Sequence, residues 1–148
     1  MAFRNHGPDA VLVSRVDSRS PLSSHSPHGI RLDDADWPMK FEDSALREAI
    51  RSAPHPDLAA KLARRRRRQV RRDWDDVKEV YMTRGMYIKC RTHGEVADAL
   101  LATGDRAIVE TSQYDYYWGC GRDIRGLNVF GRVLENIRRR LREDRDEP

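Results

Sequence analysis

The chain has 148 residues, with 28 Lys and Arg against 24 Asp and Glu, and a formal net charge of +4 at pH 7. This length fits one domain, and no apolar run is long enough to cross a membrane. The two cysteines, Cys90 and Cys120, are too few for a disulfide framework, and no apolar signal segment precedes the first charges. We therefore expect a cytoplasmic protein that does not contact membranes. The charge permits nucleic-acid or phosphate partners without requiring them.

The first 36 residues are rich in Ser, Pro, His and Asp and hold only short apolar runs. This composition predicts a poorly ordered extension over residues 1–21, with one short strand at Ala10–Val16. The segment Ser18–His28 is predicted to be a loop, and Gly29–Leu32 a second short strand.

From Asp43 onward, apolar residues recur with the spacing of helices. Helices are predicted to begin near Asp43, Asp57, Asp75, Glu95 and Leu127, with one short strand at Ala107–Glu110. The residues expected to face inward are Leu46, Ala49, Ile50, Ala53, Leu58, Leu62, Val77, Val80, Tyr81, Ile88, Val96, Leu100, Leu101, Leu127, Phe130, Leu134, Ile137 and Leu141. The predicted fold class is mainly α with a few short strands (α+β), in a single domain, and the charged C-terminal end is expected to fray.

A basic run occupies residues 61–72, where eight of twelve residues are Lys or Arg. Its centre, Arg64, Arg65, Arg66, Arg67 and Arg68, could neutralise phosphates and give a nonspecific nucleic-acid contact. The alternative is a solvated helix face, which is the commoner role of such a run. The run contains no aromatic residue for stacking and no zinc-ligand spacing, so it does not resemble a module for specific base recognition.

The segment from Tyr114 to Gly131, YDYYWGCGRDIRGLNVFG, is rich in both aromatic residues and glycines. Glycine allows a backbone to approach a ligand closely or to adopt a positive φ. Trp118 offers a flat face to a heterocycle, Asn128 can both donate and accept hydrogen bonds, and Asp115 adds a carboxylate. From composition alone a ligand site and an aromatic core cluster remain equally open.

This segment, extended to residues 100–138, resembles the NADAR, or YbiA-like, N-glycosidases. The family's string WG-G----G-N-LG is matched at Trp118, Gly119, Gly121, Gly126, Asn128 and Gly131, and helix packing alone would not produce it. Further matches are Leu100, Leu101, Thr103, Gly104, Asp105, Val109, Glu110, Asp115, Leu134 and Arg138. Upstream, the matching residues are Lys40, Phe41, Leu46 to Ile50, Trp74, Lys78, Met82 and Lys89. The resemblance implies a NADAR domain over residues 22–142, followed by a charged tail at 143–148.

The chain departs from the family pattern before Lys40. Where the family has WPT-EHYFQA-KF, this chain has Trp37-Pro38-Met39-Lys40-Phe41, so a segment of about two helical turns that contains a glutamate is absent. The family's LSNF-P string is replaced by Leu22 to Pro27, with Ser24 and His25 in place of the Asn and the aromatic residue.

The resemblance implies hydrolysis of the bond between ribose and a base in a phosphorylated substrate. The substrate would be a small ribosylated intermediate of riboflavin synthesis or ADP-ribosylated guanine in nucleic acid. Lys40 matches the family lysine that forms a Schiff base with the opened ribose, and Asp115 is the candidate acid–base or electrostatic carboxylate. The implied substrate-binding residues are Trp118, Gly119, Gly121, Asn128 and Glu110. No cofactor is implied, and the His and Cys spacing predicts no metal site.

Each candidate residue also has a plain structural interpretation. Lys40 could be an exposed lysine at a helix start, Asp115 a turn or cap residue, and Trp118 part of the core. Three hypotheses therefore remain: an N-glycosidase, a catalytically impaired homologue that binds ADP-ribose-like nucleotides, and a basic nucleic-acid-binding module. The absent glutamate segment motivates the second hypothesis, and the arginine run motivates the third.

Overall fold

The computed structural model of the protein describes residues 9–14, 22 and 40–146. The strand predicted at Gly29–Leu32 lies outside these residues, as does the loop predicted at Ser18–His28 except for Leu22, which is buried. The described elements in chain order are β1 (Val11–Val13), α1 (Ser44–Arg51), α2 (Pro56–Arg65), a 3-10 turn (Arg67–Gln69), α3 (Trp74–Thr92), α4 (Gly94–Leu101), β2 (Ile108–Glu110) and α5 (Val129–Asp146). The predicted class, mainly α with a few short strands, is confirmed.

The chain forms two compact units. The terminal unit comprises Met1–Ile30 and Met86–Pro148, and the central unit comprises Arg31–Gly85, so that α3 is divided between them. Within the described residues, no helix has the length and apolar character that a membrane span requires.

The central unit packs α1 against α2. Asp43 caps α1, because its Oδ1 accepts hydrogen bonds from the N–H groups of Ala45 (2.9 Å) and Leu46 (3.1 Å). The buried side chains are Phe41, Leu46 and Ile50, and Ala59, Leu62, Ala63 and Val70 pack against them. The prediction that Leu58 faces inward is wrong: Leu58 is exposed because it lies at the edge of the α2 face that is centred on Ala59, Leu62 and Ala63.

The inward face predicted for α3 is also partly wrong. Val80 is exposed, whereas Met86, Lys89 and Cys90 are buried in the last turns of the helix. The two portions of α3 belong to different units, and buried side chains occur only in the second portion, so that a single apolar stripe does not describe the helix.

The terminal unit contains the parallel strand pair and the helices α4 and α5. Val11, Leu12 and Val13 of β1 pair with Ile108, Val109 and Glu110 of β2, and each strand is shorter than predicted. The side chains of the core are Val13, Val96, Leu100, Ile108, Val109, Phe130, Val133, Leu134 and Ile137. This core holds the C-terminal end of β2 and the N-terminal end of α5 in place, and the glycine-rich loop connects these two ends.

Helix α5 begins later than predicted and extends into the charged end of the chain. Asn128 has a φ of 52°, which lies outside the helical region, so that the helix starts at Val129. Leu127 therefore precedes the helix and is exposed, contrary to the prediction that it faces the core. At the other end, α5 continues to Asp146, where Asp144 accepts hydrogen bonds from Tyr87 and Arg91 on α3.

Candidate functional site

The loop between β2 and α5 closes on the start of α5 through main-chain hydrogen bonds. Four consecutive carbonyl groups accept from four consecutive N–H groups at the beginning of the helix. In each pair the first residue donates its N–H to the carbonyl of the second: Leu127 to Tyr116 (2.8 Å), Asn128 to Gly119 (3.0 Å), Val129 to Tyr117 (2.9 Å) and Phe130 to Trp118 (3.1 Å). Several of these donors would otherwise lack partners in the first turn of the helix. The loop itself, rather than a ligand, therefore satisfies them.

Asn128 fastens the loop to the strand. Its buried side-chain amide accepts from the N–H of Glu110 at 2.8 Å and donates Nδ2–H to the carbonyl of Ile108 at 2.9 Å. The positive φ of Asn128 is the conformation that turns this amide back toward β2. In the described structure Asn128 thus shapes the loop, and its predicted contact with substrate stays a prediction.

The glycines of the motif serve close approaches within the chain. A Cβ at Gly131 would overlap the carbonyl oxygen of Ile108 and come within 2.5 Å of Nδ2 of Asn128. At Gly121, which has a φ of 71°, a Cβ would overlap the Tyr116 ring. A Cβ at Gly119 would lie 2.9 Å from the Cβ of Ser112. The loop can therefore fold tightly on itself only if glycine occupies these positions.

Asp115 organises the aromatic part of the loop. Its Oδ1 accepts hydrogen bonds from the N–H groups of Tyr117 (3.0 Å) and Trp118 (2.8 Å), which is the turn-forming arrangement that the sequence also allowed. Trp118 is half-buried and meets the Tyr117 ring edge-on, with ring centroids 4.7 Å apart and planes at 84°. The carboxylate of Asp115 and the indole of Trp118 are thus held in a defined relation to each other.

Glu110 ends β2 and is a buried carboxylate. The hydroxyl of Ser112 donates to its Oε1 at 2.7 Å, and its own carbonyl accepts from the N–H of Cys120 at 2.9 Å. Glu110 therefore joins the strand, the loop and the Asn128 amide in one hydrogen-bonded arrangement.

Lys40 lies in the central unit and is half-buried, rather than the exposed lysine that composition alone favoured. Its Nζ is 5.8 Å from the centroid of the Trp74 ring, and its carbonyl accepts from the N–H of Arg71 at 2.8 Å. The next residue, Phe41, forms an antiparallel bridge with Val70. Burial and the neighbouring Lys78 lower the pKa of Lys40, and the carboxylate of Asp75 opposes that change.

An aromatic and cationic cluster continues from Trp74 in the central unit. The Trp74 and Tyr81 rings are nearly parallel, with centroids 6.0 Å apart, and the guanidinium of Arg71 lies 5.7 Å from the Tyr81 ring. Arg71 also donates to Asp73 through Nε (2.6 Å) and Nη2 (2.8 Å). Lys40 is therefore anchored beside an ordered aromatic pair.

Comparison with known proteins assigns the chain to a family. The family model of the NADAR domain matches residues 35–142. The chain belongs to the NADAR domain family.

Named relatives agree with this assignment. An N-glycosidase of Nostoc punctiforme is 40% identical over 132 residues, which cover 82% of this chain and 85% of the relative. N-glycosidase YbiA of Escherichia coli is 33% identical over 136 residues, which cover 86% of this chain and 85% of YbiA. The solution structure of E. coli YbiA superimposes with a TM-score of 0.81 at 27% identity, covering 97% of this chain and 94% of that one.

The predicted site residues of this NADAR domain fall into two groups. Those on or beside one loop of the terminal unit are Glu110, Asp115, Trp118, Gly119, Gly121 and Asn128. Lys40 belongs to the central unit and lies over the ring of Trp74, the first residue of α3. Among the described residues, no group of three His, Cys, Asp or Glu side chains could hold a metal ion. The catalytic and binding roles of these residues stay predictions.

Sequence reasoning gave no role to a second buried amine, Lys89. Lys89 is 4% exposed, and burial lowers its pKa to about 8. It follows Met86 by three residues on the buried side of α3, next to Cys90, whose thiol pKa burial raises to about 11. The sequence signal for its burial was the helical spacing from Met86, together with the family match at Lys89.

Proposed function

We propose that this NADAR protein is an N-glycosidase that hydrolyses the ribose–base bond of a phosphorylated heterocycle. Substrates of this class are a riboflavin-pathway intermediate and ADP-ribosylated guanine. The family assignment and the two N-glycosidase relatives support the reaction type. A riboflavin biosynthesis protein of Arabidopsis thaliana, 40% identical over 95 residues, supports the first substrate. This match covers 62% of this chain and 16% of the plant protein.

The observation that carries the proposal is the setting of Lys40. A lysine attacks carbon only as the unprotonated amine, and partial burial beside a second cation favours that form. In the proposed reaction the C1′–O4′ bond of the ribose first breaks, as the proton of the base nitrogen passes to O4′ and C1′ becomes doubly bonded to that nitrogen. The Lys40 amine then adds to C1′, the bond from C1′ to the base breaks, and the base departs as a free amine with the two protons that the Lys40 nitrogen gives up. Water then hydrolyses the resulting imine, which returns the amine and releases the sugar.

The family resemblance gives the candidates for the remaining roles. Positive charge develops on the sugar as the C1′–N bond breaks, and the carboxylate of Asp115 or Glu110 would stabilise it. Trp118 would stack on the departing base. Gly119, Gly121 and Asn128 would support these roles by keeping the loop in its closed shape, as their contacts indicate.

The proposal is tested by incubating the purified protein with each substrate and measuring released base by chromatography. We expect release from at least one of them. No release from either by folded protein would contradict the N-glycosidase proposal. If calorimetry then detects binding of ADP-ribose, the result supports the hypothesis of a catalytically impaired homologue. The absence of the glutamate-containing segment before Lys40 is the reason for that hypothesis.

A second function is suggested by the surface of the basic run. All five residues from Arg64 to Arg68 are exposed, and within the described part of the chain none of them pairs with a carboxylate. Their neighbour Arg71 differs, since it is bound by Asp73. We propose that this arginine patch, residues 64–68, binds the phosphate backbone of nucleic acid.

Salt dependence tests the arginine patch. We expect Arg66→Gln/Arg68→Gln to reduce the slope of log affinity against log salt by about 2, because each phosphate contact on a duplex contributes about 0.9. A matched control is Arg132→Gln/Arg139→Gln, which removes two exposed arginines of α5. Binding to an oligonucleotide is measured by fluorescence anisotropy at several salt concentrations. Equal slopes for the two double variants, or a salt-independent wild type, would exclude the patch.

A further inference from the structure

The first turns of α3 place two charged residues beside Lys40. Trp74, whose ring lies under the Lys40 amine, is followed four residues later by Lys78, and this spacing puts both side chains on one face of the helix. Asp75 also acts on Lys40, because its negative charge opposes the lowering of the Lys40 pKa. Lys40 therefore shares its surroundings with a cation and an anion that have opposite effects on its proton.

Lys78 and Asp75 are bonded to each other. Nζ of Lys78 donates to Oδ1 of Asp75 at 2.9 Å. The Lys78 side chain is only 17% exposed, whereas that of Asp75 is 88% exposed. The cation is thus held within the structure while the anion is directed to solvent, where water screens its charge.

Two arginines near Lys40 in the fold make hydrogen bonds with other groups. Arg71, in the segment before α3, binds Asp73 and Tyr81 through its side chain, and its N–H binds the Lys40 carbonyl. From α1, Arg47 donates to the carbonyl of Phe41. Asp75 and Lys78 are therefore the described charges that act most directly on the amine.

We propose that Lys78 is a positioning residue for Lys40: from the same face of α3 as Trp74 it acts on the amine as a like charge and, through its bond to Asp75, it holds the carboxylate that would otherwise pair with Lys40. This inference rests on the proposed function, in which Lys40 is the nucleophile. A neighbouring cation is one of the established ways by which proteins activate a lysine nucleophile.

Two substitutions with opposite expected effects test the inference. Lys78→Met removes the repulsion and releases Asp75, so the pKa of Lys40 should rise and the acid limb of the activity profile should move to higher pH. Asp75→Asn removes the attraction, so the limb should move to lower pH. A rise of about one pKa unit would cut the free amine, and the rate on the acid limb, about tenfold. Lys78→Arg keeps both the charge and the bond to Asp75 and should retain the wild-type profile.

A readout without catalysis separates this inference from the proposed function. Lysines are labelled by reductive methylation with carbon-13 formaldehyde, and the Lys40 signal, identified by its loss in Lys40→Arg, is titrated by NMR. We expect the Lys40 pKa to rise in Lys78→Met and to fall in Asp75→Asn. Unchanged values, or shifts in the same direction, would overturn the inference. Opposite shifts in a protein that releases no base would sustain it while contradicting the proposed function.

Discussion

Lys40→Ala is expected to lower base release by about 1000-fold or more, because the substitution removes the group proposed to bond to C1′. The effect should appear in kcat, and affinity for the substrate should change much less. Lys40→Arg should be equally inactive, since a guanidinium keeps the positive charge but does not act as a nucleophile. The measurement is the initial rate of base release under saturating substrate for the wild type and both variants.

Folding of the Lys40 variants serves as the control. The hydrogen bond from Arg71 reaches the Lys40 carbonyl, which every substitution at Lys40 leaves in place. The side chain itself is only half-buried, so Lys40→Ala should cost little stability. A well-folded Lys40→Ala that retains activity within a few-fold of the wild type would contradict the role of Lys40.

Gly131→Ala is expected to destabilise the protein by about 3 kcal/mol, the upper end of the usual cost of overpacking, because its neighbours are rigid. Its Cβ would overlap the Ile108 carbonyl oxygen of strand β2 and would press on the Asn128 amide that fastens the loop. Neither neighbour is the flexible end of a side chain, so neither can move away cheaply. We expect a lower midpoint of thermal or denaturant unfolding, measured by circular dichroism.

Gly94→Ala is the matched control for that change. Gly94 is the first residue of α4, and a Cβ there would meet no atom within 4 Å. Its replacement should change stability by less than about 1 kcal/mol, because only the helix propensity changes. If Gly131→Ala were as stable as Gly94→Ala, the close approach of α5 to β2 would be refuted.

The sequence predicted the elements whose cause is local. The helix that begins near Asp43, the helix that begins near Glu95 and the strand that ends at Glu110 depend on neighbouring residues. The structure confirms all three. The start of α5 was missed because Asn128 adopts a positive φ in order to bond β2, a strand eighteen residues earlier. A hydrogen bond between residues so far apart does not show in the spacing of apolar residues.

The glycine motif was found by its pattern, but composition did not explain its purpose. The sequence allowed either close approach to a ligand or a positive φ at these glycines. The described contacts of Gly119, Gly121 and Gly131 are with the chain itself, and Gly121 has a positive φ. The surroundings of Lys40 were likewise beyond local reasoning, because Trp74, Asp75 and Lys78 come from a helix more than thirty residues away in sequence. Burial and charge at such a position depend on tertiary packing.

Trapping of the covalent intermediate tests the role of Lys40 most directly. Borohydride reduces an imine between a lysine and a sugar to a stable amine, so we expect protein treated with substrate and borohydride to carry the sugar on Lys40, identified by peptide mass spectrometry. The adduct should be absent without substrate and in Lys40→Arg. Base release by the wild type with no adduct on Lys40, or with the adduct on another lysine such as Lys89, would contradict the proposed mechanism.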